Sequence, residues 1–117
     1  MAAILFILNA APYGSEQTYN GLRLAGALAR RKENRLRVFL MGDAATAAQR
    51  DQKVPPGHYN VEVMIGNVRR HGGEVAVCGT CMDARGIDDE HLADGCKRGT
   101  MEELADWTDL SDKVLVF

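Results

Sequence analysis

Two cysteines separated by two residues, Cys78-Gly79-Thr80-Cys81, stand directly behind a short apolar run, Val75-Ala76-Val77. A thiol is nucleophilic as its thiolate. Its pKa falls beside a second cysteine in a C-x-x-C pair, near Arg or Lys, or at the start of a helix. Gly79 lets the backbone bend sharply as it leaves the strand, and Arg85 lies downstream. If Thr80 to Ala84 turn into a helix, their unpaired N–H groups face Cys78. These conditions predict an accessible thiolate at Cys78, with Cys81 as a resolving or assisting thiol.

Three chemistries fit that pair. Cys78 can accept a sulfur atom from a donor protein persulfide and hand it to an acceptor protein. The two cysteines can instead exchange between dithiol and disulfide, one attacking and the other resolving. Thirdly, the order Cys78-x2-Cys81-x9-His91-x4-Cys96 supplies four ligands in a zinc-like pattern. A chain of 117 residues can build its own core and has little need of a structural metal, so no metal site and no cofactor is expected. The plain alternative is that the cysteines are small buried hydrophobes in a non-enzymatic binding or assembly protein.

The elements that must position the thiols read clearly. Ala3 to Leu8 is an unbroken apolar run, as expected of a strand covered on both faces. It ends in the loop Asn9 to Gly14, after which Ser15 is placed to cap a helix whose face carries Tyr19, Leu22, Ala25 and Ala29. Leu36 to Met41 is a second strand, closed by Gly42-Asp43, with Asp43 a candidate cap for the Ala-rich turn Ala44 to Arg50. Asn60 caps a third helical segment, stopped at His71-Gly72-Gly73, and Glu74 to Val77 is the third strand. Asp88 to Ala93 is a short helical piece, and Gly95 to Arg98 a brief strand or a turn. Thr100-Met101-Glu102-Glu103 opens a helix that buries Leu104 and Trp107, and Lys113 to Phe117 is the last strand.

Alternating strands and helices predict a single α/β domain over residues 1–117, with a mainly parallel sheet and helices on both faces, a flavodoxin-like layering. The C-terminal ends of parallel strands share one rim, where ligands bind. Asn9 to Gly14, Gly42-Asp43 and Cys78 to Cys81 are therefore expected to converge there. Asn9, Tyr13 and Arg85 are candidate walls of the site, binding substrate beside the cysteines.

Composition excludes other classes. The net charge of −2 does not suit a surface built to grip phosphate backbones, so no nucleic-acid partner is expected. Ala2 to Leu8 is too short to span a membrane and no positively charged segment precedes it, which predicts a cytoplasmic protein without membrane contact.

Four stretches then carry a resemblance across nearly the whole chain: the first strand running into Asn9-Ala-Ala-Pro-Tyr-Gly, the Leu22-Arg-Leu-Ala helix, Val38-Phe-Leu-Met-Gly-Asp43, and Cys78-Gly-Thr-Cys-Met-Asp-Ala-Arg-Gly-Ile87. In this order they resemble the DsrE/DsrF/TusD-like sulfur-relay family, in its YchN-like branch. The resemblance implies a five-stranded sheet, assembly into homotrimers or homohexamers, and a persulfide on the cysteine seven residues before an Arg-Gly pair. Cys78 holds that position relative to Arg85-Gly86. Cys81 departs from the single-cysteine pattern and keeps disulfide exchange open.

Overall fold

The computed structural model describes residues 2–117. The three apolar runs form β1 (Ala3–Leu8), β2 (Arg35–Leu40) and β3 (Glu74–Cys78); β4 (Cys96–Gly99) and β5 (Lys113–Val116) complete a five-stranded sheet. Strand order is β4-β3-β2-β1-β5, and every pair is parallel. The helices are α1 (Gln17–Ala29), α2 (Val61–Arg70), α3 (Gly79–Ala84) and α4 (Met101–Leu110), with 3-10 turns at Gly42–Ala48 and Asp89–His91.

Strand order decides which face each helix covers. From β1 through β4 the chain steps across the sheet in one direction; from β4 to β5 it runs back past the other strands. Right-handed crossovers therefore put α1, α2 and α3 on one face and α4 alone on the other. Burial agrees. Ile4, Phe6 and Leu8 of β1, Val38 and Leu40 of β2, and Val75 and Val77 of β3 pack with Leu22, Ala25, Val61, Ile65, Val68 and Met82. The alternate strand residues Leu5, Phe39, Ala76 and Cys78 pack with Leu104 and Trp107 of α4.

The α4 face is thinly covered. One helix is about 10–12 Å across with its side chains, whereas five strands about 4.8 Å apart span about 19 Å. Trp107 anchors the cover. Its ring meets the edge of Phe39 at 6.2 Å between centroids, and the cations of Arg37 and Lys97 each lie 5.6 Å from it. At its margin Ile7 and Met41 are half-buried, the two end residues of α4, Met101 and Leu110, are exposed, and Val114 and Val116 of β5 are exposed beside it. On the opposite face three tyrosines stack in a row: Tyr13 on Tyr59 at 5.6 Å and Tyr59 on Tyr19 at 4.0 Å.

Local signals explain most boundaries. The Asn60 side chain accepts from Val63 N–H at 3.2 Å, and Thr100 accepts from Glu103 N–H at 3.1 Å, each closing one unpaired donor of a helix start. Gly72 takes φ +90°, a left-handed turn that ends α2. Two expected caps are corrected. The residue before α1 is Glu16, not Ser15, with no side-chain cap among the described residues. The entry is fixed instead by buried Thr18, whose hydroxyl donates to Ala10 C=O at 2.6 Å. Asp43 lies inside the 3-10 turn rather than before it, and its carboxylate pairs with Arg85. The stretch Cys96–Gly99 is a strand because it pairs with β3, not because of any apolar pattern. No helix among the described residues is long and apolar enough to cross a membrane.

Candidate functional site

Cys78 is the last residue of β3 and the residue immediately before α3. Strand alternation turns its side chain toward the α4 face, and it is 8% exposed. Its sulfur occupies the place of a helix-capping oxygen: Cys81 N–H donates to it at 3.4 Å, and the Thr80 hydroxyl lies 3.3 Å away. Gly42 N–H donates to Cys81 Sγ at 3.2 Å, so the β2 exit touches the second thiol. Gly42 takes φ +57°, and a Cβ there would stand 3.5 Å from the Asn9 carbonyl oxygen, which links the β1 exit to the same cluster.

These bonds separate the two thiols. Burial pushes the Cys78 thiol up. Hydrogen bonds from the Cys81 thiol, the Thr80 hydroxyl and the backbone N–H groups of both residues outweigh it and hold Cys78 below the ordinary thiol value. Cys81 moves the other way. Burial, the hydrogen bond it gives to Cys78 and the nearby Cys78 charge push it up, against the opposing pull of Gly42 N–H and Arg85. The two thiols are thus driven in opposite directions, Cys78 toward its anion and Cys81 toward its protonated form. All three cysteines of the chain are free thiols.

Arg85 sits at the end of α3. It donates to the Cys81 carbonyl at 3.0 Å and to Asp43 at 2.8 Å, which fastens the helix to the β2 exit. Arg98 works from the other side, donating to Gly79 C=O at 3.0 Å, Asp83 at 3.1 Å and Asp89 at 2.7 Å. On the Arg98 side Cys78 opens into a pocket of about 300 Å³, whose walls include Thr80, Arg98, Thr100 and Met101. A larger concavity of about 540 Å³ lies over α1 and α2, but no cysteine lines it. The nucleophile decides in favour of the smaller one.

The residues expected at the rim divide. Cys78, Cys81 and Arg85 come together with Gly42 and Asp43. Asn9 reaches the cluster through its backbone, while its side-chain amide donates to Phe117 C=O at 3.4 Å. Tyr13 lies elsewhere. Its hydroxyl donates to Gln52 at 2.7 Å and accepts from Val61 N–H at 3.2 Å, and its ring lines a different pocket with His58 and Tyr59. The zinc-like set does not converge either. Cys96 pairs in register with Val75, three residues down β3 from Cys78, and burial, helped by Glu62 and Asp94 and opposed by Arg69, pushes its thiol up to about 11. His91 groups instead with Asp88 and Glu90, all exposed. Gly42 and Thr80 lie in stretches expected at the rim, without a role having been assigned to either; Arg98, Thr100 and Met101 join the site unexpected. For Thr80 a signal existed, because a hydroxyl two residues past a turn-forming cysteine points back at it.

Comparison with known proteins places the chain. A profile of the DsrE/DsrF-like family matches residues 2–117. Protein YchN of Escherichia coli is 48% identical over 118 residues, covering 100% of both chains, and its crystal structure superposes with a TM-score of 0.94 at 47% identity over 100% of both. An uncharacterized protein of Methanopyrus kandleri is 33% identical over 97% of this chain and 93% of its own. A protein of unknown function from Methanobacterium thermoautotrophicum, at 13% identity, shares the fold with a TM-score of 0.74 over 98% of this chain and 99% of its own. The chain belongs to the DsrE/DsrF-like family.

Proposed function

We propose that this protein carries sulfane sulfur as a persulfide on Cys78, taking it from one protein persulfide and passing it to another thiol. The observation that carries this reading is the Cys78 sulfur itself, hydrogen-bonded by Cys81 N–H and facing the Thr80 hydroxyl, at the mouth of a pocket of about 300 Å³. Loading is a thiolate attack on the outer sulfur of a donor persulfide, with the donor thiolate as leaving group. The lowered Cys78 pKa raises the share of attacking anion above that of an ordinary thiol. The same hydrogen bonds then hold the inner sulfur in place while the outer one projects into the pocket. Family membership supports the class of chemistry, and the reading includes assembly of this chain with copies of itself.

Intact-mass measurement after incubation with a persulfide donor tests the proposal. A gain of one sulfur atom is expected in Cys81→Ser and, at the earliest times, in the wild-type chain, absent in Cys78→Ser and reversed by reductant. A chain that gains no sulfur in any form overturns it.

A further inference from the structure

Cys81 is not needed to load Cys78, yet it is held against it. The two residues are three apart across the first turn of α3, where Cα atoms lie about 5–6 Å from one another, inside the window of about 4.4–6.8 Å that a disulfide spans. Cys81 N–H already reaches Cys78 Sγ at 3.4 Å, and Gly42 N–H donates to Cys81 Sγ at 3.2 Å from a separate strand. The Arg85 guanidinium bonds the Cys81 carbonyl from the far side. Cys81 is half-buried, whereas Cys78 is 8% exposed, so an external thiol meets the inner sulfur of a persulfide only with difficulty and Cys81 meets it from within.

We propose that Cys81 discharges the Cys78 persulfide by attacking its inner sulfur, releasing sulfide and leaving a Cys78–Cys81 disulfide. This rests on the persulfide reading of Cys78. In the step the Cys81 sulfur lone pair forms the bond to Cys78 Sγ, and the bond from Cys78 Sγ to the outer sulfur breaks. The outer sulfur leaves with the bonding pair and takes up the proton given up by Cys81, departing as the hydrosulfide anion. Cys81 is oxidised to the disulfide level and the outer sulfur is reduced to sulfide. An external dithiol reductant then supplies two electrons and two protons to restore both thiols.

Loading itself triggers the step. Before loading, the hydrogen bond that Cys81 gives to Cys78 Sγ and charge on that sulfur push the Cys81 thiol above its ordinary value. After loading, the charge moves one atom outward, while Gly42 N–H and Arg85 still draw Cys81 toward its anion. Attack within one helical turn is intramolecular and outruns attack by dilute thiols. An acceptor protein must therefore take the outer sulfur before Cys81 reaches the inner one.

The test uses the full chain, reduced, loaded with inorganic polysulfide and freed of excess by gel filtration. Intact mass and released sulfide are then followed together. The wild-type chain is expected to lose its added sulfur, release an equivalent of sulfide, and become two hydrogens lighter than the reduced form. Cys81→Ser and Cys81→Ala, two variants that guard against a folding defect in either, are expected to keep the added sulfur about tenfold longer or more. Equal loss from wild type and both variants, with no disulfide, overturns the role of Cys81 and leaves the persulfide reading standing. No added sulfur in wild type or variants overturns both.

Discussion

The two faces of this sheet are built from the same strands and covered very differently. One face lies under three helices, and its alternate strand residues form the larger core. The other lies under α4 alone, centred on Trp107, with Val114 and Val116 uncovered beside it. Chain order produces the difference, since one returning connection must cover what three forward connections cover opposite. Cys78 is the residue on which the contrast bears. Strand alternation turns it to the thin side, where a pocket remains, while Met82, four residues on, is sealed into the thick side.

The largest effect that can break this contrast is a matched pair of core truncations. Leu22→Ala removes a side chain from the α1 side and should cost about 3–5 kcal/mol, whereas Leu104→Ala on the α4 side should cost about 2–3 kcal/mol, because that margin can collapse toward solvent. Urea denaturation measures both; equal losses would mean that the faces carry equal weight.

A smaller effect sharpens the chemistry of the thin side. Cys78 should alkylate with a pH midpoint below that of an ordinary thiol, and Cys81 with one above it. Thr80→Val removes one hydrogen bond to the Cys78 sulfur. It should move that midpoint upward and slow alkylation at neutral pH by about two- to tenfold, the worth of one hydrogen bond. The linkage has opposite signs for the two thiols. The lowered Cys78 adds stability that grows as pH rises through its folded value and is complete above the ordinary thiol value. The raised Cys81 adds stability present below the ordinary value and lost as pH rises through its own. A Thr80→Val profile that overlays the wild type would remove Thr80 from the site.

The smallest effect belongs to the uncovered patch. Val116 is 64% exposed, so Val116→Ser should change stability at low protein concentration by less than about 0.5 kcal/mol. A concentration-dependent loss of melting temperature in this variant would show instead that the patch is covered in solution.

Much of this is legible in the residues. Ala3 to Leu8 and Val75 to Val77 are apolar without alternation, and only a sheet buried on both faces makes such runs stable. The paired thiols announce themselves by type and spacing. Other features depend on distant partners that no local pattern records. Cys96-Lys97-Arg98-Gly99 is a strand through its register with β3. Gly42 reaches Cys81 only because β2 and β3 end side by side, and Asp43 reads as a helix cap until Arg85 arrives from another element. Tyr13 sits at the expected end of the sheet but on the side away from the thiols. A loop residue's sequence position does not state the direction of its ring, and Tyr59 draws it toward α2.

The aromatic residues record the same division in another property. The chain holds one tryptophan and three tyrosines. The tryptophan lies on the α4 side, between two cations and in the core that Cys78 joins; the tyrosines stack together on the other side. Indole emission, excited on the long-wavelength side of the phenol band, therefore reports loosening of the thin face alone. The one tryptophan is thus a built-in probe of the layer that Cys78 joins, without a label.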